Sequence, residues 1–208
     1  MTQSLLDSCE QTTREKGLAA GLTSVLTDVD VAASAPATVV AVPRDWPVTT
    51  DGEVSHPLAE AESLAFVRLL RDQDAPGDWC SVVAARLARA RIGLTDRVLG
   101  EAAAYLSART AMGEPLVRKQ LITGSIADLV AELPVVRHHA DLLAQKPRPE
   151  SAAHLHARID RLDWQVTLLF GASGYLTDHP ARGLYVSALV ANSWIGGHGQ
   201  QEGEQQWN

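Results

Sequence analysis

A regular spacing of apolar residues between positions 151 and 170 constrains the fold of this chain more than any other feature. Successive apolar positions there are separated by three, four, three, four and three residues: Ala152, Leu155, Ile159, Leu162, Val166 and Leu169. This spacing places all of them on one face of an α-helix, where they can pack against a partner helix. The segment therefore predicts one helix of a bundle.

Two further segments predict neighbouring helices. Residues 79–91 carry an apolar face and end in an Arg-rich stretch that suits a helix C-terminus; the helix either stops at Gly93 or continues to about residue 111. Residues 180–195 predict the last helix, and residues 171–174 end the helix before it.

Residues 116–145 predict the remaining helix, which Pro115 opens and Pro134 should kink. Its expected inward positions are Leu121, Ile122, Ile126, Leu129, Val130 and Leu133. With turns at 112–115, 146–150 and 171–179, the fold class is mainly α, an antiparallel four-helix bundle with a short mixed N-terminal segment.

The N-terminal segment, residues 1–78, is less regular. Residues 1–37 predict a weak helix that glycines interrupt, residues 38–43 predict a strand, and residues 57–73 predict a helix. The strand pairs with residues 48–53 or with another subunit, or it is only a loop.

The expected domain division is an N-terminal segment over 1–78, a bundle over 79–195 and a disordered tail over 196–208. The tail is polar and rich in Gly and Gln, which is typical of disorder.

Composition and charge exclude several function classes. Lys and Arg number 18 against 25 Asp and Glu, a net charge of −7, and this argues against nucleic-acid binding. No apolar stretch reaches the length of a membrane span, and no signal peptide is evident. Cys9 and Cys80 lie far apart, which fits a reducing cytoplasm. We also expect no metal site, because adjacent His138 and His139 point to different faces of a helix.

Two turns carry a family resemblance. The first reads Gly93, Tyr105, then Arg109-x-x-x-Gly113-x-Pro115-Leu116-x-x-x-Gln120. The second reads Gly171-Ala-Ser-Gly174-Tyr175-x-x-Asp178-x-Pro180. Both turns, at this separation in the sequence, resemble segments of the C-terminal helical domain of the acyl-CoA dehydrogenases. The resemblance covers about residues 79–195 of this chain. The first 78 residues are at most a remnant of that family's N-terminal and β domains.

The resemblance implies roles for two residues of the first turn. In the family, the matching Arg and Gln reach the FAD of a neighbouring subunit, so Arg109 and Gln120 are the candidate cofactor-binding residues. A guanidinium suits a pyrophosphate group. Without the family, Arg109 could simply close a helix end, and Gln120 could be a surface or interface residue.

Other family positions have changed. The Gln that opens the second segment is Leu168, its second Gly is Ala172, and later charged positions are Gly183 and Ser187. The place of the catalytic Glu in many members is taken by Ile195, which cannot abstract a proton. Asp96 or Glu101 are weak substitutes on an earlier helix.

These features predict a flavin-free subunit of a heteromeric enzyme in bacterial specialised metabolism, with no cofactor of its own. Its partner would be a larger homologous subunit, and its substrate an acyl or carrier-protein-tethered group undergoing elimination or cyclisation. Arg109, Arg182 and His179 are the candidate catalytic residues, holding an anion and moving a proton; His179 beside Asp178 could equally be a solvated loop pair. The alternatives are a non-catalytic scaffold and a dehydrogenase subunit that donates FAD contacts to its partner.

Overall fold

The computed structural model describes residues 2–70 and 80–195. The expected break at residues 74–78, the boundary at residue 78 and the expected tail at 196–208 all lie outside the described residues.

Three helices open the chain: α1 (Thr2–Lys16), α2 (Leu18–Leu26) and α3 (Val31–Ser34). Gly17 separates the first two, with a φ of 92° that favours glycine. Gly21 does not interrupt α2, contrary to expectation. A Cβ there would lie 1.8 Å from the hydroxyl oxygen of Thr13, so this glycine permits α2 to lie close against α1.

A three-stranded antiparallel sheet follows: β1 (Val39–Pro43), β2 (Thr50–Val54) and, after the short helix α4 (Pro57–Ala61), β3 (Leu64–Leu69). β3 is the central strand and pairs with both of the others. The prediction of one strand at 38–43 is therefore confirmed. Of the three alternatives for its pairing, direct pairing with residues 48–53 is wrong, because β3 lies between β1 and β2.

The predicted helix over 57–73 is also wrong. The helix ends after one turn, the chain reverses at Ser63, whose φ is 57°, and residues 64–69 continue as a strand. β-branched and aromatic side chains at Phe66 and Val67 suit a strand that is buried between two neighbours.

The bundle consists of α5 (Ser81–Ser107), α6 (Gln120–Gln145), α7 (Pro149–Leu169) and α8 (Arg182–Ile195). α5 contacts the other three helices, which confirms the predicted four-helix bundle. It runs through Gly93, where α1 crosses it so closely that a Cβ would lie 2.2 Å from the Glu10 carbonyl oxygen.

A small hairpin connects α5 to α6 and confirms the predicted turn. Its strands are β4 (Thr110–Ala111) and β5 (Glu114–Pro115), and Met112 and Gly113 between them both have positive φ. A 3₁₀ turn over Leu116–Arg118 precedes α6, so Pro115 opens that turn rather than the helix.

The predicted inward face of α6 is correct only in its second half. α6 continues through Pro134, and its buried residues begin at Leu129. Leu121 is 87% exposed and Val130 is 53% exposed, while Ile122 and Ile126 are partly buried, so the described parts of the chain cover this end of the predicted face incompletely.

α7 agrees with its predicted face, since five of its six seam residues are buried and Leu169 is partly buried. The helix stops at Gly171, whose φ is 59°, and a 3₁₀ turn over Gly171–Tyr175 leads toward α8.

One apolar core joins the N-terminal segment to the bundle. Two hydrogen bonds to the backbone of one β1 residue fix that strand on α8: Trp194 Nε1 donates to the Ala41 carbonyl at 2.9 Å, and Ala41 N donates to Ser193 Oγ at 3.1 Å. No described helix is both long enough and apolar enough to cross a membrane.

Candidate functional site

Arg109 lies in the exposed loop just after α5. Its guanidinium carbon is 4.1 Å from the centroid of the Tyr105 ring, a cation–π contact. Among the described residues, no carboxylate pairs with this guanidinium and no helix carbonyl accepts from it. The side chain is therefore held by an aromatic face while its charge stays available.

Gln120 is the exposed first residue of α6. The hairpin returns the chain toward the end of α5, where Leu116 N donates to the Arg109 carbonyl at 2.7 Å. The two residues that the family resemblance selects thus flank one hairpin at one end of the bundle.

A run of aromatic contacts leads from Arg109 to His179. The Tyr105 and Phe170 ring centroids are 5.4 Å apart, and those of Phe170 and His179 are 4.4 Å apart. The Tyr105 hydroxyl lies 2.8 Å from Ser173 Oγ. The fold therefore brings Arg109 and His179, 70 positions apart in the sequence, to the two ends of one run.

His179 is half-buried, and its Nδ1 accepts from Ala181 N at 3.1 Å. In the neutral ring the proton is then on Nε2. Among the described contacts, no bond joins the Asp178 carboxylate to the His179 ring, although the sequence suggested that this carboxylate would hold the ring. This geometry makes Nε2 of His179 a hydrogen-bond donor rather than a base.

Arg182 is already paired. Its Nε donates to Glu62 Oε1 at 2.9 Å, and its Nη1 donates to the Thr177 carbonyl at 2.7 Å. Glu62 compensates its charge, and no described contact joins it to Arg109. Arg182 thus lacks the free positive charge that the predicted anion site would require.

Sequence reasoning missed a buried polar network in the bundle. Arg91 is fully buried; its guanidinium donates to Asp160, to Asp163 at 3.1 Å, to His156 Nδ1 at 3.2 Å and to Ser187 Oγ at 3.3 Å. Of the two alternatives for this helix, the end near Gly93 that the arginines of residues 86–91 suggested is wrong, and the continuation is confirmed, since α5 extends to Ser107.

Arg89 and Arg86 also act inside the fold. Arg89 pairs with Asp7, with Glu10 at 2.9 Å and with Asp141 at 3.2 Å, which ties α1 and α6 to α5. Arg86 donates to the Thr27 carbonyl at 2.8 Å, just after α2. A buried arginine is uncommon unless a carboxylate compensates its charge. The three arginines among the apolar residues of this helix are therefore the only feature of the sequence that indicates such ion pairs.

Burial shifts two pKa values in the network around Arg91. It lowers the pKa of His156 to about 3, an effect that the nearby Arg91 charge reinforces. His156 is therefore neutral, with Nε2 donating to the Ala84 carbonyl at 3.1 Å. Burial raises the pKa of Asp163 to about 6, although Arg91 and the Thr95 hydroxyl, 2.6 Å from Asp163 Oδ1, oppose the shift.

A cleft of about 390 Å³ opens between α4, α7, α8 and the turn that joins α7 to α8. Its lining is mainly apolar and includes Trp164, Tyr175 and Tyr185. Asp160 and Asp163 reach it from the Arg91 network, and Arg182 lies at its edge with its partner Glu62.

The changed family positions leave no base of the family type in the described residues. Ile195 is buried in the apolar core. Asp96 pairs with Arg14 at 3.0 Å and with Arg137 at 3.1 Å, while Glu101 pairs with Arg97 at 2.9 Å. Both substitute carboxylates are thus engaged in ion pairs on the helix surface.

The described residues do not supply the full set of family flavin contacts. Leu168, in place of the family Gln, offers a half-exposed apolar side chain, and buried Ser187 bonds to Asp163 and Arg91. Of the family positions that contact the flavin in the first turn, Arg109 and Gln120 keep groups that suit an anionic cofactor, and both are exposed.

No group of three metal-ligating side chains comes together within residues 2–70 and 80–195. The His139 and His154 rings lie 6.1 Å apart, and His139 Nε2 lies 2.9 Å from Ser151 Oγ.

The sequence profile of the acyl-CoA dehydrogenase C-terminal domain matches residues 82–201. This chain belongs to the acyl-CoA dehydrogenase family, through that domain. No curated protein sequence matches the chain.

Solved structures share the fold at low sequence identity. Butyryl-CoA dehydrogenase from Megasphaera elsdenii superimposes with a TM-score of 0.52 at 15% identity, over 77% of this chain and 45% of its own. The ChsE4–ChsE5 complex from Mycobacterium tuberculosis gives 0.51 at 19% identity, over 70% and 45%. FkbI, for biosynthesis of the methoxymalonyl extender unit of a polyketide immunosuppressant, gives 0.52 at 22% identity, over 76% and 49%. The matches span about half the length of these solved chains.

Proposed function

We propose that this chain is a flavin-free subunit of a heteromeric enzyme and supplies Arg109 to an anionic group held by a larger homologous subunit. The observation that carries the proposal is the exposed guanidinium of Arg109, which is oriented by Tyr105 and has no carboxylate partner in the described residues. A cation oriented in this way is suited to an anion on another molecule.

Two further observations support a partner. The position of the family base is a buried isoleucine. Solved structures with this fold include the ChsE4–ChsE5 complex, which contains two different chains. We therefore infer that the partner contributes the proton-removing group and the other wall of the site.

The reaction we propose is a non-redox elimination or cyclisation on an acyl or carrier-protein-tethered substrate, in bacterial specialised metabolism. The partner's base would take the α-proton. The C–H electron pair would form the Cα–Cβ double bond in an elimination, or a bond to the carbon that carries the leaving group in a cyclisation, and the leaving group would depart as an anion with its own bonding pair. Arg109 would stabilise that anion, and His179 Nε2 would donate a hydrogen bond to it. The likeness to FkbI supports the biosynthetic setting.

The test is substitution of Arg109 in the complex purified after co-expression with neighbouring genes. Arg109→Gln should lower turnover of the complex by about 100-fold if the charge stabilises a transition state. Arg68→Gln removes the same charge from an exposed position on β3 and should leave turnover unchanged. Equal turnover in both variants would contradict the role of Arg109.

A second candidate is a non-catalytic scaffold, which the pairing of Arg182 with Glu62 favours because it leaves Arg182 without a free charge. Unchanged turnover in both Arg109→Gln and His179→Asn complexes would select this function. If the wild-type complex shows flavin absorbance and the Arg109→Gln complex does not, the function is instead that of a dehydrogenase subunit that donates FAD contacts to its partner.

A further inference from the structure

The cleft between α7 and α8 has the shape and lining of a small-molecule site. Its volume of about 390 Å³ lies within the range that small ligands occupy. Leu58, Leu176 and Leu184 contribute apolar walls, and the lining residues all belong to this chain. The inference therefore uses none of the residues that carry the proposed function.

Three aromatic side chains surround this cleft and stay half-exposed. Trp164, Tyr175 and Tyr185 are 56%, 55% and 54% exposed, and the Trp164 and Tyr175 rings meet edge to face with centroids 5.8 Å apart. Large aromatic rings left uncovered around a concave site are unusual on a free surface. Ring faces of this kind attract cations.

The charged groups of the cleft are unevenly balanced. Within residues 2–70 and 80–195, Arg91 is the one guanidinium that pairs with both Asp160 and Asp163, while Arg182 is paired with Glu62. His156 is neutral because burial lowers its pKa. Among the lining residues and their ion-pair partners, one negative charge is left uncompensated at neutral pH.

Asp160 is the carboxylate that a ligand can reach. Its side chain is 44% exposed, whereas that of Asp163 is 6% exposed. It stands four residues before Trp164 on α7, so its carboxylate and the indole ring share one face of the helix.

We propose that this cleft binds a small organic ammonium ion, with its apolar body among the aromatic rings and its charge toward Asp160. The observed lining suits this ligand class by shape and by charge. An anionic ligand of the same size would meet the half-exposed carboxylate of Asp160 in a cleft where carboxylates outnumber guanidinium groups.

The experiment is calorimetric titration of the full chain, alone or in its complex, with benzyltrimethylammonium. Phenylacetate and benzyl alcohol serve as the anionic and neutral ligands. We expect a dissociation constant of about 1 mM or lower for the ammonium ion, and binding at least about tenfold weaker for the other two. Phenylacetate binding as tightly as the ammonium ion would overturn the proposal, as would a folded protein that binds no ammonium ion.

Variants separate this site from non-specific attraction to an acidic protein. Asp160→Asn should weaken binding about tenfold, because one carboxylate near the ligand is lost. Asp128→Asn removes the same charge from an exposed position on α6, which does not line the cleft, and should change binding less than twofold. Equal effects of the two variants would contradict the proposal.

A second variant guards against misfolding of Asp160→Asn, which loses an ion pair with Arg91. Trp164→Leu, at a half-exposed position, should also weaken ammonium binding by about fivefold or more. Full affinity in a folded Trp164→Leu protein would overturn the cation–π part of the site.

Discussion

At the scale of single residues, the buried Arg91 organises the polar interior of the bundle. It bonds to side chains on α7 and α8 at once, namely His156, Asp160, Asp163 and Ser187. Buried charges are tolerated when they are paired and fully hydrogen-bonded. The periodicity of α5 marks this position as inward-facing, but only the fold reveals which carboxylates meet it, because they lie about 70 positions away in the sequence.

His156 should make stability depend on pH in a definite direction. Its folded-state pKa is lowered to about 3, so the stability it contributes is present above its ordinary value of 6.5 and is lost as the pH falls toward 3. The difference in unfolding free energy between the wild type and His156→Gln should therefore change by about 1.4 kcal/mol per pH unit between pH 6 and 4. Urea titrations across this range measure it.

Comparison by difference is needed because Asp163 acts in the opposite direction. Its raised pKa favours the folded state as the pH falls through about 6 toward its ordinary value of 3.8, in both proteins. His138→Gln, at an exposed position on α6 with no described contact to the Arg91 network, is the control and should follow the wild type closely. A His156→Gln curve parallel to the wild type would contradict the buried neutral state of His156.

At the scale of elements, α1 and α5 are held together by a close backbone approach. Gly93→Ala would place a methyl group 2.2 Å from the Glu10 carbonyl oxygen, and backbone cannot yield as a flexible side chain can. We expect a loss of about 1–3 kcal/mol in unfolding free energy. Chemical denaturation of the variant tests this value.

Gly100→Ala is the control, because it lies on the same helix with open space around its Cβ position. Alanine there should stabilise the chain by about 0.5–1 kcal/mol through helix propensity. If both variants shift stability in the same direction, the close crossing at Gly93 is not what the structure indicates.

The elements that sequence reasoning predicted correctly are those in which the helical spacing of apolar residues repeats over several turns. α5 to α8 each offer several turns of apolar spacing, so α7 and the turns around it were found. β3 was missed because Leu64, Ala65 and Leu69 fit a helical stripe as well as a strand, and six residues are too few for periodicity to decide. The prediction for the first turns of α6 failed for another reason. An apolar stripe indicates that a helix face is suited to burial, but it does not indicate which part of this chain, or which other chain, buries it.

The candidate site was predictable only through the family pattern. Arg109 and Gln120 stand at fixed spacing around a hairpin, and that spacing is visible in the sequence. The cleft was not, because its lining comes from α4, α7, α8 and a connecting turn, and no local pattern links Leu58 to Tyr185.

At the scale of the whole molecule, the N-terminal segment and the bundle share one core. Trp194 of α8 donates its indole N–H to the Ala41 carbonyl of β1, a buried bond at 2.9 Å. Trp194→Phe leaves that carbonyl without this donor and should lower the unfolding free energy by about 1–3 kcal/mol. Because the core is shared, circular dichroism and near-UV signals should be lost in a single transition.

Trp164→Phe makes the same chemical change at a half-exposed ring and should alter stability by less than about 0.5 kcal/mol. Two separate transitions in the wild type would show that the N-terminal segment folds independently of the bundle.

We propose a partner-dependent subunit without a flavin site of its own, and native mass spectrometry after co-expression with neighbouring genes tests this proposal most directly. The measurement gives the stoichiometry of the assembly and its retained cofactor together. The predicted result is a heteromer of this chain with a larger homologue, and no FAD on this chain when it is isolated. The contradicting result is an assembly of this chain alone with one FAD bound to each copy.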